Sequence, residues 1–276
     1  MINKKAIATL TAASLALFSA SAMADSAWNT NQNPIVAANN EVGIAATGTL
    51  MNYQEHNLNP IDDTETGWMP GFKAKYSLMG NYFSSLPSDI YFAVRYQYSS
   101  AGIAYKGSYI GSATPLHSTD NATTNRVLVR FGKGFTLAND VMLTPYVAGG
   151  YQNWSRALPG NTEDYHSGLI GVGAMVQYAA TQALVFTVNA EGLAMISGGM
   201  TPSLYSGALG STSFETSGQE KIAADVDYRV YGQWHLYGGL SLTHFNYTGG
   251  LLKYGFFEPS SSTNLLNMDA GIAYQF

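Results

Sequence analysis

Apolar and polar residues alternate with a period of two in ten stretches of the chain, at about 41–54, 68–79, 90–105, 125–136, 141–154, 165–178, 183–196, 218–229, 234–247 and 264–276. The last is the clearest. Leu266, Met268, Ala270, Ile272, Tyr274 and Phe276 fall on one face, and Asn267, Asp269, Gly271, Ala273 and Gln275 on the other. That period belongs to a β-strand whose two faces meet different surroundings. Each stretch exceeds the roughly 9–11 residues a tilted strand needs to cross a bilayer. The connections alternate in length: 137–140, 179–182 and 230–233 are short, while 56–67, 106–124, 155–164, 197–217 and 248–263 are long. Short turns at one end and long loops at the other are the pattern of a membrane barrel with its loops outside the cell. The eight-residue connection 81–88, which contains Pro87, departs from it.

The apolar registers agree from strand to strand. Val42, Ile44 and Leu50, then Phe72 and Tyr76, Val127 and Phe131, Ile170 and Val172, Phe186 and Val188, and Leu240 and Leu242 would form one continuous lipid-facing surface. A soluble β-sandwich has no need of such matching. Lys133 and Glu220 are the charges in this register, and both lie near strand ends, where the cost of a charge in lipid falls away. Trp68, Trp154, Tyr178 and Trp234 also stand near strand ends, as interfacial aromatic girdles do, although Trp154 is in the inward register. The predicted fold is an all-β, antiparallel up-and-down transmembrane barrel of ten strands. Eight or twelve remain as alternatives if a segment is an ordered loop.

Composition extends this picture. Lys4 and Lys5, an apolar stretch over 6–18 and Ala22-Met23-Ala24 have the form of a cleaved secretory signal over residues 1–24. A polar periplasmic lead-in is expected over 25–40, and the barrel over 41–276. Without the two signal lysines, eleven basic side chains stand against eighteen acidic ones, a net charge of −7. That balance argues against nucleic acid as a partner. Cysteine is absent, so an exported chain would be stabilised without disulfides.

Charge reappears in the inward register. Strands two to four contribute Lys73, Lys75, Arg95, Arg126 and Arg130; strands seven and eight contribute Glu191, Lys221, Asp225, Asp227 and Arg229. In a closed ten-stranded cylinder, strands two and three lie opposite seven and eight, so a largely cationic wall would face a partly anionic one. Two readings follow: a plug in which opposed charges pair across a narrow lumen, or a narrow aqueous pore with a transverse field that selects small charged solutes. Ten strands lie close to the eight whose interior side chains fill, which favours the plug.

The chain's end, with Ile272, Tyr274 and Phe276, resembles the signal by which bacterial outer-membrane barrels are recognised by the barrel-assembly machinery. More broadly, residues 41–276 resemble the small outer-membrane β-barrel proteins of Gram-negative bacteria, a group that includes opacity-type proteins. The resemblance implies an outer-membrane location, contact with lipid and lipopolysaccharide, and a monomer. Two enzyme families bear comparison. Omptin proteases also have ten strands, with acidic residues and a histidine near the outer rim; Asp62-Asp63 and Asp164-Tyr165-His166 are the nearest equivalents, but they stand in the first and third loops rather than the second and fourth. Lipid deacylases use lipid-facing His and Ser, and His244 lacks the serine two residues on. His56, His117 and His235 show no metal-ligand spacing. Neither a cofactor nor a metal is expected.

The fourth loop, 197–217, carries Leu204, Tyr205, Leu209 and Phe214. It would fold inward as a lid or present a contact surface. The expected role is a structural or surface-interaction barrel with a charge-braced lumen. A narrow porin-like channel and a rim hydrolase are the alternatives.

Overall fold

The computed structural model describes residues 33–56, 62–81, 88–109 and 114–276. The signal segment and the first part of the lead-in lie outside the described residues. Ten long strands follow in order: β1 (Glu41–His56), β2 (Thr64–Gly80), β3 (Ile90–Ser108), β4 (Pro115–Lys133), β5 (Val141–Leu158), β6 (Asn161–Ala179), β7 (Leu184–Pro202), β8 (Ser217–Tyr231), β9 (Trp234–Tyr247) and β10 (Ser260–Gln275). Each pairs antiparallel with its neighbour in sequence. The cylinder closes where β1 meets β10 in an unbroken register from Glu41↔Gln275 to His56↔Ser260. Closure removes every free edge, which a sheet in lipid requires because unpaired backbone groups find no water there.

The outward apolar register is where the alternation placed it, with Val42, Ile44, Val147, Ile170, Val172, Val188, Ile222, Leu240 and Leu242 all exposed. This belt is rimmed by aromatics. At the periplasmic end Tyr76 stacks on Phe276 at 5.6 Å and Trp234 meets Tyr274 edge-on at 5.2 Å. At the outer end Trp68 lies beside Leu50. Gly71 serves the wall directly: a Cβ there would lie 1.9 Å from the Tyr98 carbonyl oxygen. Trp154 does not join the girdle; it is buried in the lumen.

Two boundaries differ from the pattern-based expectation. The strands run past the lipid belt, so β3 and β4 stay paired to Ser108↔Pro115 and β5 and β6 to Leu158↔Asn161. The expected long connection 155–164 is therefore a hairpin with a two-residue turn at Pro159-Gly160, Gly160 supplying the positive φ of 85°. The reason is that water bathes the outer face there. Outward residues such as Asn52, Thr66, Asn125, Asn153 and Asp164 are polar, so hydropathy no longer contrasts the two faces while backbone pairing continues.

The lead-in is not uniformly loose. Pro34–Ala38 forms a short helix, α1, capped by the Asn33 side chain, which accepts from the Ile35 N–H at 2.9 Å. Proline at the first helical position suits a helix start. Ile35, Ala37 and Ala38 are buried against β2, β6 and β7 inside the periplasmic mouth. Asn39 donates to Gln177 at 2.8 Å, and Asn40 donates to the Met79 carbonyl at 2.7 Å.

Candidate functional site

The lumen has three storeys above α1. The lowest is a cavity of about 110 Å³ lined by ten charged side chains: Lys73, Lys75, Arg95, Arg126, Arg130 and Lys221 against Glu41, Asp225, Asp227 and Asp269. Lys75 lies 2.5 Å from Glu41 and 4.0 Å from Asp227, while Lys73 lies 2.5 Å from Asp269. Arg126 and Arg130 both reach from β4 to Glu191 on β7, at 3.2 and 2.5 Å. Tyr146 supports the same carboxylate, donating to Glu191 at 3.1 Å and to Asn189 at 2.6 Å. Glu191 is fully desolvated, so two guanidiniums and a phenol offset a burial that would be costly for an unpaired charge. Arg229 turns away and donates to the Gln182 carbonyl at the periplasmic turn. Arg95, Lys221 and Asp225 form no ion pair among the described residues.

Glu41, Asp227 and His235 place one ligand atom each within 4.8 Å of one another, the spacing a metal ion needs. His235 Nδ1 is 2.5 Å from Asp227. The Lys75 ammonium already stands among these carboxylates and supplies their positive charge, so a metal would have to displace it.

The middle storey is aromatic. Tyr53 from β1, Trp154 from β5, Tyr165 from β6 and Tyr247 from β9 meet across the lumen, with centroids 4.8 Å apart for Tyr53 and Trp154 and 4.9 Å for Trp154 and Tyr165. Phe214 folds in from the fourth loop, 5.2 Å from Tyr247. β1 and β6 are diametrically opposed in a ten-stranded ring, so these rings fill the bore rather than coat one wall.

The outer storey, above the lipid belt, gathers six carboxyl groups around Arg156. Its Nη1 lies 2.7 Å from Glu55 and 2.8 Å from Glu163, its Nη2 lies 3.6 Å from Asp63, and its Nε donates to Glu65. Tyrosines serve as further donors: Tyr53 to Glu55 at 3.0 Å, Tyr105 to Asp63 at 2.6 Å and Tyr165 to Glu258 at 2.5 Å. Burial raises the acids above their ordinary range. Glu65 is pushed up to about 9, burial being the chief cause, with the neighbouring Asp120 carboxyl adding to it. Glu55, Asp63, Asp120 and Glu258 are raised for the same chief reason.

Sequence reasoning named the cations and acids of β2–β4 and β7–β8. It missed Glu41 and Asp269, which the same inward-register rule applied to the first and last strands would have found. It did not bring Arg156 together with its acids: Asp63 was noted only in the omptin comparison, and Arg156, Glu65, Asp120, Glu163 and Glu258 fell in expected loops. The omptin-like groups are separated by the wall: Asp63 faces inward to Arg156, whereas Asp164 on the alternate register is exposed outside. His166 shares that outer face, and a side chain on Gly199 of β7 would abut it. His244 Nδ1 lies 2.9 Å from Asn264 Oδ1, just above the lipid belt.

These features define the class: a transmembrane β-barrel of the bacterial outer-membrane type. No protein-family model matches the chain, and comparison with curated proteins finds no relative. Among solved structures, the outer-membrane protease OmpT from Escherichia coli is similar in fold, with a TM-score of 0.53 at 8% identity over 86% of this chain and 95% of that one. The attachment invasion locus protein Ail of Yersinia pestis aligns at a TM-score of 0.35 and 10% identity, over 86% of this chain and 99% of that one. OprG from Pseudomonas aeruginosa aligns at 0.35 and 8%, over 86% and 96%.

Proposed function

We propose that this protein is a non-catalytic outer-membrane barrel whose lumen is a brace rather than a conduit, and whose role is interaction at the cell surface. The observation that carries this reading is the aromatic storey, where rings from opposite sides of the wall and from the fourth loop together fill the bore. A filled bore leaves the outer end as the functional surface. There the fourth loop divides its labour: Leu209 and Phe214 are buried as a lid, while Tyr205 is exposed together with Leu251, Tyr254 and Phe257 of the fifth loop. Lys253 N–H donates to the Leu209 carbonyl at 3.1 Å, which holds the two loops together as one platform. Exposed aromatics gathered on a rigid platform are typical of recognition surfaces.

The test has two parts. In a planar bilayer the wild-type barrel is expected to be silent, and Glu191→Gln, which leaves Arg126 and Arg130 without their carboxylate, to leak or unfold. Serine at Tyr205, Leu251, Tyr254 and Phe257 together should abolish adhesion to cells or matrix without changing the barrel's thermal stability. Steady wild-type current would replace this reading with a narrow channel, which the charged 110 Å³ cavity favours as the second candidate. The separation of Asp63 from Asp164 and His166 supports the non-catalytic reading. Peptide or lipid hydrolysis that disappears in D164N and H166A would end it.

A further inference from the structure

The charged cavity and a smaller one of about 50 Å³ above it are joined at a neck lined by Gln97, Arg126, Lys221 and Ser241, residues common to both. The neck is rich in donors and poor in acceptors of charge. Lys221 forms no hydrogen bond or ion pair among the described residues, and the charges acting on it include Lys73, Arg126 and Arg130, with Glu191 as the counter-charge. That same carboxylate already serves both arginines. Even so, Arg130, 1% exposed, leaves Nε and Nη1 without partners, and Arg126 leaves Nε without one. Three cations, Arg126, Arg130 and Lys221, thus share one carboxylate at this level, while Lys73 is paired with Asp269. A brace would pair its charges one to one; this arrangement keeps a surplus of positive charge beside an enclosed space.

We propose that the neck is a binding site for a small inorganic oxyanion of the phosphate or sulfate class. Arg126 and Lys221 would supply the charge, and the Gln97 amide and Ser241 hydroxyl the neutral donors. Planar guanidinium next to a point-charge ammonium is a combination suited to tetrahedral oxyanions. The two cavities that meet there offer about 110 and 50 Å³, on a measure by which one water takes about 10–15 Å³. The site does not depend on whether the barrel conducts, because an enclosed anion would neutralise the surplus in a plug as well as in a pore.

The experiment is thermal unfolding of the refolded full barrel in detergent, with sodium phosphate replacing sodium chloride at constant ionic strength. A ligand that binds only the folded state raises the transition temperature with its concentration. Wild type is expected to rise progressively with phosphate. K221Q should unfold at a higher temperature than wild type without phosphate, because a like-charge repulsion is gone, and should lose the phosphate-dependent rise; K221R should keep it. A wild type indifferent to phosphate and sulfate, or a K221Q that retains the rise, overturns the site. So does a K221Q that is less stable or fails to refold, since that outcome makes Lys221 a brace.

Discussion

Arg156 is the side chain on which the outer end of the barrel depends. Removing one partner of a buried ion pair typically costs about 3–5 kcal/mol, and Arg156→Gln takes the shared guanidinium from several buried carboxyl groups at once. The expected result is a melted outer extension on an intact membrane barrel, read as loss of amide-exchange protection in β5 and β6 beyond Tyr151 and Ile170. The raised acids give this end a pH dependence with a definite sign. Their folded pKa values exceed the unfolded ones, so the folded end holds protons that the unfolded chain would release. Their contribution is complete below about pH 4 and is lost as pH rises towards the Glu65 value of about 9. Protection factors in the extension should therefore fall between pH 5 and 9; a rise would refute the assignment. Lys73, Arg95, Arg130 and Glu191 were legible in the sequence because each stood in the polar register of an apolar-alternating strand. Arg156 was not, because the outward residues beside it, Asn153 and Ser155, are polar, and without an apolar outer face the strand reads as a loop.

Two elements close the bore, one at each end of the charged cavity, and their roles can be separated. Trp154 packs between Tyr53 and Tyr165, and replacing it with alanine should cost about 3–5 kcal/mol as a large-to-small core change. In urea, the loss should appear as earlier exposure of the outer end. Deleting residues 33–39 removes α1 with little effect on the strand ladder, since α1 contributes no sheet pairing. In bilayer recordings the α1 deletion alone should remain silent, because the aromatic storey is still in place; the double variant should conduct. Conduction by the single deletion would show that α1, and not the aromatic layer, is the barrier. The ten strands themselves were legible from period and length. The helix was concealed because four apolar residues, Ile35 to Ala38, are too few to display a helical period, and only Asn33-Pro34 marked a helix start.

At the scale of the whole molecule, assembly and stability are separable. Phe276 stacks on Tyr76, donates its backbone N–H to the Asn40 carbonyl at 3.1 Å, and is 47% exposed. Phe276→Ala should therefore refold in detergent almost as well as wild type, yet accumulate far less in outer membranes if the terminal residue is read during insertion. Equal accumulation would count against that signal. The extension of β3 to β6 beyond the lipid belt has its own consequence. The hairpin of β5 and β6 continues about eight residues past Tyr151 and Ile170, roughly 26 Å of strand at 3.3 Å per residue, with its own buried aromatics and ion pairs. The protein thus joins two solvents' worth of architecture in one continuous sheet: a lower storey held by hydrocarbon and an upper one that carries its own core. Solvent exchange should therefore act on them unequally, so that detergents which strip lipid and loosen the belt leave the upper storey folded. Loop sequences at the summit are free to diversify without reference to the bilayer beneath them.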